Sequence, residues 1–320
     1  FLFNMAAIPY SALIISHENM KAFAWISVGE AAGKLGIVYL LQFGHWDQLA
    51  FYGLLLSGVA ALSFTAYSLT CRRLYPVSRF AFYWEKSLFK ELLAFSGWNL
   101  WGAASYLFSN VFVNILLNNY FNAAVSAARS IGTQMAAGIA SFAQNFTMSA
   151  NPQIVKYYAA GELKKSHDLI FYTSRLAFAL LLIIVLPIVL EMEVVLGLWL
   201  KDIPLHTVLF ARLSVIQLLV DIISYPLITL AQASGRIAVY QSIVGGILWL
   251  NLPTAWVAIS LLGLSPEVVG FVAILLSITS LGARIFILRK IAGLSSLLFF
   301  KEVLVRLLRV LIRIYRNIEM

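Results

Sequence analysis

The sequence predicts an all-α polytopic membrane protein, and three observations carry that prediction. Of its 320 residues 61% are hydrophobic and only 12% are charged, with a mean hydropathy of +0.88; a soluble surface of this size needs far more charge. The apolar residues come in continuous runs of roughly twenty, the length of a membrane helix, and not in the short alternating segments of a transmembrane barrel. The connections between runs alternate sharply in charge.

Nine hydrophobic spans are read, at 1–16, 23–43, 49–69, 92–117, 122–150, 169–190, 205–230, 237–258 and 267–288. The chain opens Phe1-Leu2-Phe3 with neither a Met nor a charged leader region, so the first span reads as one entered partway, in a fragment. One set of connections comprises 17–22, 70–91, 152–168, 232–240 and everything from Arg284 onward. It carries 18 of the 23 basic residues, whereas the opposite set (44–48, 118–121, 191–204, 259–266) carries only Lys201. The positive-inside rule places the first set and the C-terminus in the cytoplasm. The net charge of +9 thus follows the membrane and is no nucleic-acid footprint.

The stretch 114–152 is the most informative. Ala124, Ala128, Gly132, Ala136 and Ala140 recur every fourth residue, a small-residue face that lets a neighbouring helix approach closely in lipid. Beside it sit Ser126, Arg129, Ser130, Thr133, Gln134 and Ser141, with Gln144 and Asn145 beyond. A guanidinium inside a span is costly unless it faces protein or water. Two readings fit: one packed face and one face lining a polar cavity, or ordinary packing with Arg129 reaching back to the nearer surface. The clustering of the polar residues favours the cavity.

Other charges fall within spans. Glu30 and Lys34, spaced i,i+4, can neutralise each other on one helix face, in a structural or a functional role. Arg212 and Asp221 are nine residues apart, about half a turn out of phase, so each needs a partner elsewhere or a wet cavity. Arg175 lies near a cytoplasmic end, from which it can snorkel.

The domain reading is a first transmembrane portion at 1–69, a cytoplasmic linker at 70–91, a six-helix lobe at 92–290 and a basic amphipathic tail at 291–320. The linker mixes Arg72, Arg73 and Arg79 with Tyr75, Phe80, Phe82, Tyr83 and Trp84, suited to the headgroup layer. Asn151-Pro152 is expected to break the long helix, leaving 152–168 along the surface. In the tail, Arg306, Arg309, Arg313 and Arg316 form one basic stripe that suits a helix on anionic lipid. A weak repeat relates Pro9, Lys21, Trp25 and Ser27 to Pro226, Arg236, Tyr240 and Ser242, as expected of two parallel-repeated bundles.

No phosphate-binding G-x-x-x-x-G-K-[ST] loop occurs, and the four histidines form no H-E-x-x-H. The single Cys71 excludes an intramolecular disulfide framework and a cysteine-built metal site. No cofactor is implied. No external connection is long enough for a catalytic domain, so the sequence reads as a carrier and not an enzyme.

The run NNYFNAAVSAARSIGTQMAAGIASFAQNFTMSANPQIVKYYAAGE resembles the eighth helix and following loop of polysaccharide-type flippases, the Wzx-like members of the MATE/MOP exporter superfamily. IPYSALIISHENMKAFAWISVGEAAGKL resembles the same family's fourth and fifth helices. The resemblance implies twelve or more helices in two six-helix lobes, of which the nine spans would be the fourth to the twelfth, in a bacterial inner membrane. It implies translocation of a polyprenyl-pyrophosphate-linked oligosaccharide to the periplasmic leaflet, with a polysaccharide polymerase and chain-length proteins as partners; the basic tail adds anionic lipid, and the charge distribution leaves out nucleic acid. Arg129, Lys34 and Arg212 are then the candidates to bind the anion. Ser126, Thr133, Gln134 and Asn145 are the candidate sugar-facing groups, and Glu30 and Asp221 the candidates for ion coupling. The alternatives are a MATE-type cation or drug antiporter, a lipid II flippase, and a non-transporting scaffold of a glycan assembly complex.

Overall fold

The computed structural model describes residues 2–41, 48–78 and 84–306. All regular structure among them is helical, and the chain divides into two units, 1–84 and 85–320.

The first unit holds α1 (Leu2–Ser16), α2 (Met20–Leu41) and α3 (Gln48–Leu74), then a single 3-10 turn at Pro76–Ser78. Asn19 caps α2 by accepting the Ala22 amide at 3.2 Å, satisfying one of the donors a helix start leaves free. The core of the unit is Ile14 against Tyr67 and Cys71, and the buried Cys71 thiol donates to the Tyr10 carbonyl at 3.3 Å. Residues 44–47 of the external connection and 79–83 of the linker reading lie outside the described residues. The helices reach into that linker from both sides, since α3 continues to Leu74 and the next helix begins at Lys86.

The second unit is built of α4 (Lys86–Tyr120), α5 (Ala123–Ala159), α6 (Leu163–Leu190), α7 (Met192–Trp199), α8 (Thr207–Ile223), α9 (Tyr225–Ala233), α10 (Ile237–Trp249), α11 (Asn251–Ser260), α12 (Val268–Ala292) and α13 (Ser296–Phe299). A short π-helix at Phe300–Val305 follows. Asn122 caps α5, its side chain accepting the Val125 amide at 2.9 Å. α4 and α5 form an antiparallel hairpin, tied by Asn114 Nδ2 to Ser130 Oγ at 3.3 Å. α5 runs parallel to α8–α9: Gly132 lies against Ala211, Gln144 bonds Tyr225, and Asn151 bonds Thr229. α12 also runs with α8, Gly270 lying against Leu213.

Seven helices among the described residues are long and apolar enough to cross a membrane, which makes this a multi-pass all-α membrane protein. The other two expected spans fall short for different reasons. α1 has 15 residues, and α5 is long enough at 37 residues but carries too many Ser, Thr, Gln and Asn residues to qualify. The expected spans at 205–230 and 237–258 are each two helices, meeting at Ser224 and at Leu250. Pro226 and Pro253 lack the N–H groups that would bond the carbonyls of Ile222 and Trp249, which accounts for both interruptions.

Two expectations fail. Pro152 does not end the long helix: α5 runs through it to Ala159. Thr229 of α9 donates to Asn151 Oδ1 at 2.8 Å, so the packing of α9 against this turn sustains a helix that local propensity would break. Nor does the tail start as a detached interfacial helix. Leu294, Phe299 and Val303 are fully buried, Phe299 packs edge-on against Phe171, and Arg175 of α6 binds Glu302 at 3.2 Å. Arg309, Arg313 and Arg316 lie outside the described residues.

The α5–α8 contact shows what the small-residue stripe is for. A Cβ on Gly132 would stand 2.8 Å from the Ala211 amide nitrogen, so only glycine permits this backbone-to-backbone approach. Ala128 and Ala140 are buried on the same face.

Candidate functional site

The kinks and the parallel run of α5, α8 and α12 leave a cavity of about 610 Å³ inside the second unit. α4 contributes Gly102, Tyr106, Ser109 and Asn110, and α5 contributes Arg129, Thr133, Ala136, Ala137, Ala140 and Gln144. Ser214, Gln217 and Asp221 of α8 recur at three and four residues, so they share one face. Ser277, Ser280 and Arg284 do the same on α12. Tyr225, Tyr240, Gln241 and Asn251 complete the polar wall from the helices next to the kinks.

One end is organised by Arg129, only 7% exposed. Its Nη1 donates to Asn114 Oδ1 at 2.6 Å and to the Asn110 carbonyl at 3.3 Å, and its Nη2 donates to Asn110 Oδ1 at 3.1 Å. All three acceptors are neutral, so the guanidinium is held in place without its charge being cancelled. Nearby, Asn251 Nδ2 donates to Ser109 Oγ at 2.7 Å, while Asn251 Oδ1 is buried without a hydrogen bond.

The other end carries Asp221, whose Oδ2 accepts from Gln217 Nε2 at 3.4 Å. Arg284 and Ser277 lie within electrostatic reach of its carboxylate. Tyr240 and Arg284 are also close enough to interact, yet Tyr240 OH, Ser280 Oγ and Arg284 Nε are all buried without a hydrogen bond of good geometry. The register of α5 on α8 puts Asp221 about 20 Å along the axis from Arg129, at 1.5 Å per residue. Among the described lining residues two arginines face one acid.

Of the residues singled out from sequence, Arg129, Thr133, Gln144 and Asp221 line this cavity; Ser126, Gln134, Asn145 and Arg212 do not. Gln134 and Asn145 are exposed on other faces of α5. Arg212 instead donates from Nε to the Val189 carbonyl at 3.1 Å, a cation placed on the last turn of α6 where unpaired carbonyls gather. Lys34 and Glu30 belong to the first unit and bind each other at 2.6 Å, the i,i+4 pair their spacing suggested.

Arg284, Tyr240, Ser277 and Ser280 were not among the sequence candidates. The charge pattern groups Arg284 with the cytoplasmic basic residues, yet it sits inside α12 and faces the cavity. Its signal was present in the i, i+3, i+7 spacing of Ser277, Ser280 and Arg284, which marks one polar stripe on an apolar helix.

No protein-family model, curated protein or solved structure matches the chain.

Proposed function

We propose that the protein is a flippase that moves a polyprenyl-pyrophosphate-linked oligosaccharide across a bacterial inner membrane, on a MATE/MOP-type two-lobe plan with a cytoplasmic C-terminus. The observation that supports this reading above all is Arg129, a buried guanidinium with only neutral partners on the wall of a polar cavity. A charge kept uncancelled at membrane depth is expensive, and its usual return is binding to an opposite charge that enters. The excess of two arginines over one acid favours an anionic headgroup over a cation. Hydroxyls and amides along the wall suit a glycan, which needs many donors and acceptors once it leaves water. In this reading the polyprenyl tail stays in the lipid, and a polymerase and chain-length proteins take up the product.

Asp221 supports a second reading. An acid facing the cavity is what a MATE-type cation antiporter needs, with a proton or sodium ion exchanging for an organic cation.

Reconstitution in liposomes with two cargoes separates the two. Translocation of a lipid-linked oligosaccharide that is lost in Arg129→Ala is expected; efflux of a fluorescent organic cation without movement of the sugar would overturn the flippase reading.

A further inference from the structure

The Asp221 end of the cavity has a feature that one anion site at Arg129 leaves unexplained. Three polar groups from two helices, Tyr240 OH of α10 with Ser280 Oγ and Arg284 Nε of α12, line the same wall without a hydrogen bond of good geometry, although Tyr240 and Arg284 lie within reach of each other. Tyr240 is 2% exposed and Ser280 1%, so bulk water does not serve them. Buried polar atoms in native proteins are nearly always paired, and a cluster of exceptions in one cavity marks a place where something binds.

The chemistry of the three groups selects the ligand. Arg284 Nε–H can only donate, and the two hydroxyls can donate. A metal ion would be repelled by the guanidinium and would leave Nε unsatisfied. An oxyanion with several acceptor oxygens satisfies all three at once, with charge-assisted bonds from the arginine. The neighbouring acid sharpens the point. Asp221 lies within reach of Arg284, yet no ion pair joins them among the described residues, and its oxygen accepts from Gln217 instead.

We propose that Arg284, Tyr240 and Ser280 form a second anion-binding station for a phosphate-type group, about 20 Å along the cavity from Arg129, at which the Asp221 carboxylate competes with the ligand for the guanidinium. The station deepens the flippase reading, and it rests on that reading only for identifying the phosphate as the cargo's pyrophosphate. A cargo anion entering at this end engages Arg284, which Asp221 attracts without pairing with it, and Arg129 then receives the anion at the far end. Two cations at opposite ends, one of them with a competing acid, bind the headgroup without trapping it.

The probe is inorganic pyrophosphate, titrated calorimetrically against the whole chain in nanodiscs of zwitterionic lipid. Arg284→Gln is expected to weaken binding about tenfold, the loss of a charge-assisted hydrogen bond. Asp221→Asn, which removes the competitor at constant size, is expected to tighten it several-fold. Tyr240→Phe removes only a hydroxyl without a hydrogen bond of good geometry, so it should fold normally and bind several-fold more weakly. Unchanged affinity in both Arg284→Gln and Tyr240→Phe, or weaker binding in Asp221→Asn, would overturn the station. Repeating the titration in anionic lipid tells cargo from bilayer: a drop in apparent affinity that disappears in Arg284→Gln assigns the station to a lipid headgroup, and no drop assigns it to the cargo. The flippase reading fails separately. A chain that binds pyrophosphate in this pattern but moves no lipid-linked sugar keeps the station and loses the transport assignment.

Discussion

Arg129 and Asn114 face each other across the α4–α5 hairpin, Nη1 donating to Oδ1 at 2.6 Å. With the two bonds to Asn110, this fixes the plane of the guanidinium while leaving its charge free. The arrangement needs the planar fork of arginine, because a lysine offers one ammonium and cannot span acceptors on two residues in that geometry. Arg129→Lys is therefore expected to keep the charge and lose most transport, with Asn110 and Asn114 left short of donors and a stability cost of about 1–3 kcal/mol. Thermal unfolding in detergent measures the stability cost, and the liposome assay measures transport. Full activity in the lysine variant would show that charge alone suffices.

Gly132 is expected to tolerate no side chain. Its Cβ would meet the backbone of Ala211 at 2.8 Å and of Phe210 at 2.9 Å, and a backbone cannot rotate out of the way. Gly132→Ala should destabilise the second unit by about 1–3 kcal/mol, the cost of overpacking. Gly138 on the same helix has open space around it, so Gly138→Ala is the matched control and should be neutral or slightly stabilising. Equal unfolding temperatures for the two variants would refute the close α5–α8 contact.

At the helix ends, Glu267 precedes α12 and binds His206, which precedes α8 with φ 71. Partial burial pushes the Glu267 carboxyl up, but hydrogen bonds led by Ser265 and including His206 outweigh it and hold it below its ordinary value. The depressed value means that the unfolded chain takes up a proton first as pH falls. The stabilisation is complete above the unfolded value of about 4.3 and is lost as pH drops through the lower folded value. Unfolding temperature followed from pH 7 to pH 3 should fall more steeply in the wild type than in Glu267→Gln; parallel curves would remove Glu267 as the titrating group.

Glu302 ties the last described helical turn to α6 through Arg175 at 3.2 Å and also binds Arg306 at 3.0 Å. Both pairs are partly exposed and worth little energy, whereas Phe299 and Val303 are fully buried. Glu302→Ala should thus leave the segment docked, and Phe299→Ala should release it. Limited proteolysis after Arg306 is expected to accelerate in the second variant only.

Some features were legible because they depend on residues close in sequence. Helix periodicity, the Glu30–Lys34 pair and the small-residue face of 124–140 are local patterns, and the structure contains each as a helix, a salt bridge and a close contact. Pro152 misled because the packing that sustains the helix through it comes from α9, seventy-odd residues away. Arg284 misled for a related reason. Its closeness to other basic residues in sequence suggested a cytoplasmic position, while the helix geometry of α12 turns it toward Asp221.

The sequence by itself determined that this chain is a set of apolar helices with a few polar residues set among them, because hydropathy and spacing are properties of a single segment. It also marked Arg129 and Asp221 as charges that need an environment. Only the tertiary structure decided which helices run parallel, that Arg212 caps α6 while Arg284 faces the cavity, and which polar atoms are left without partners. Those outcomes depend on crossings between helices far apart in the chain, set by contacts such as Gly132 on Ala211. No single segment contains both sides of such a contact.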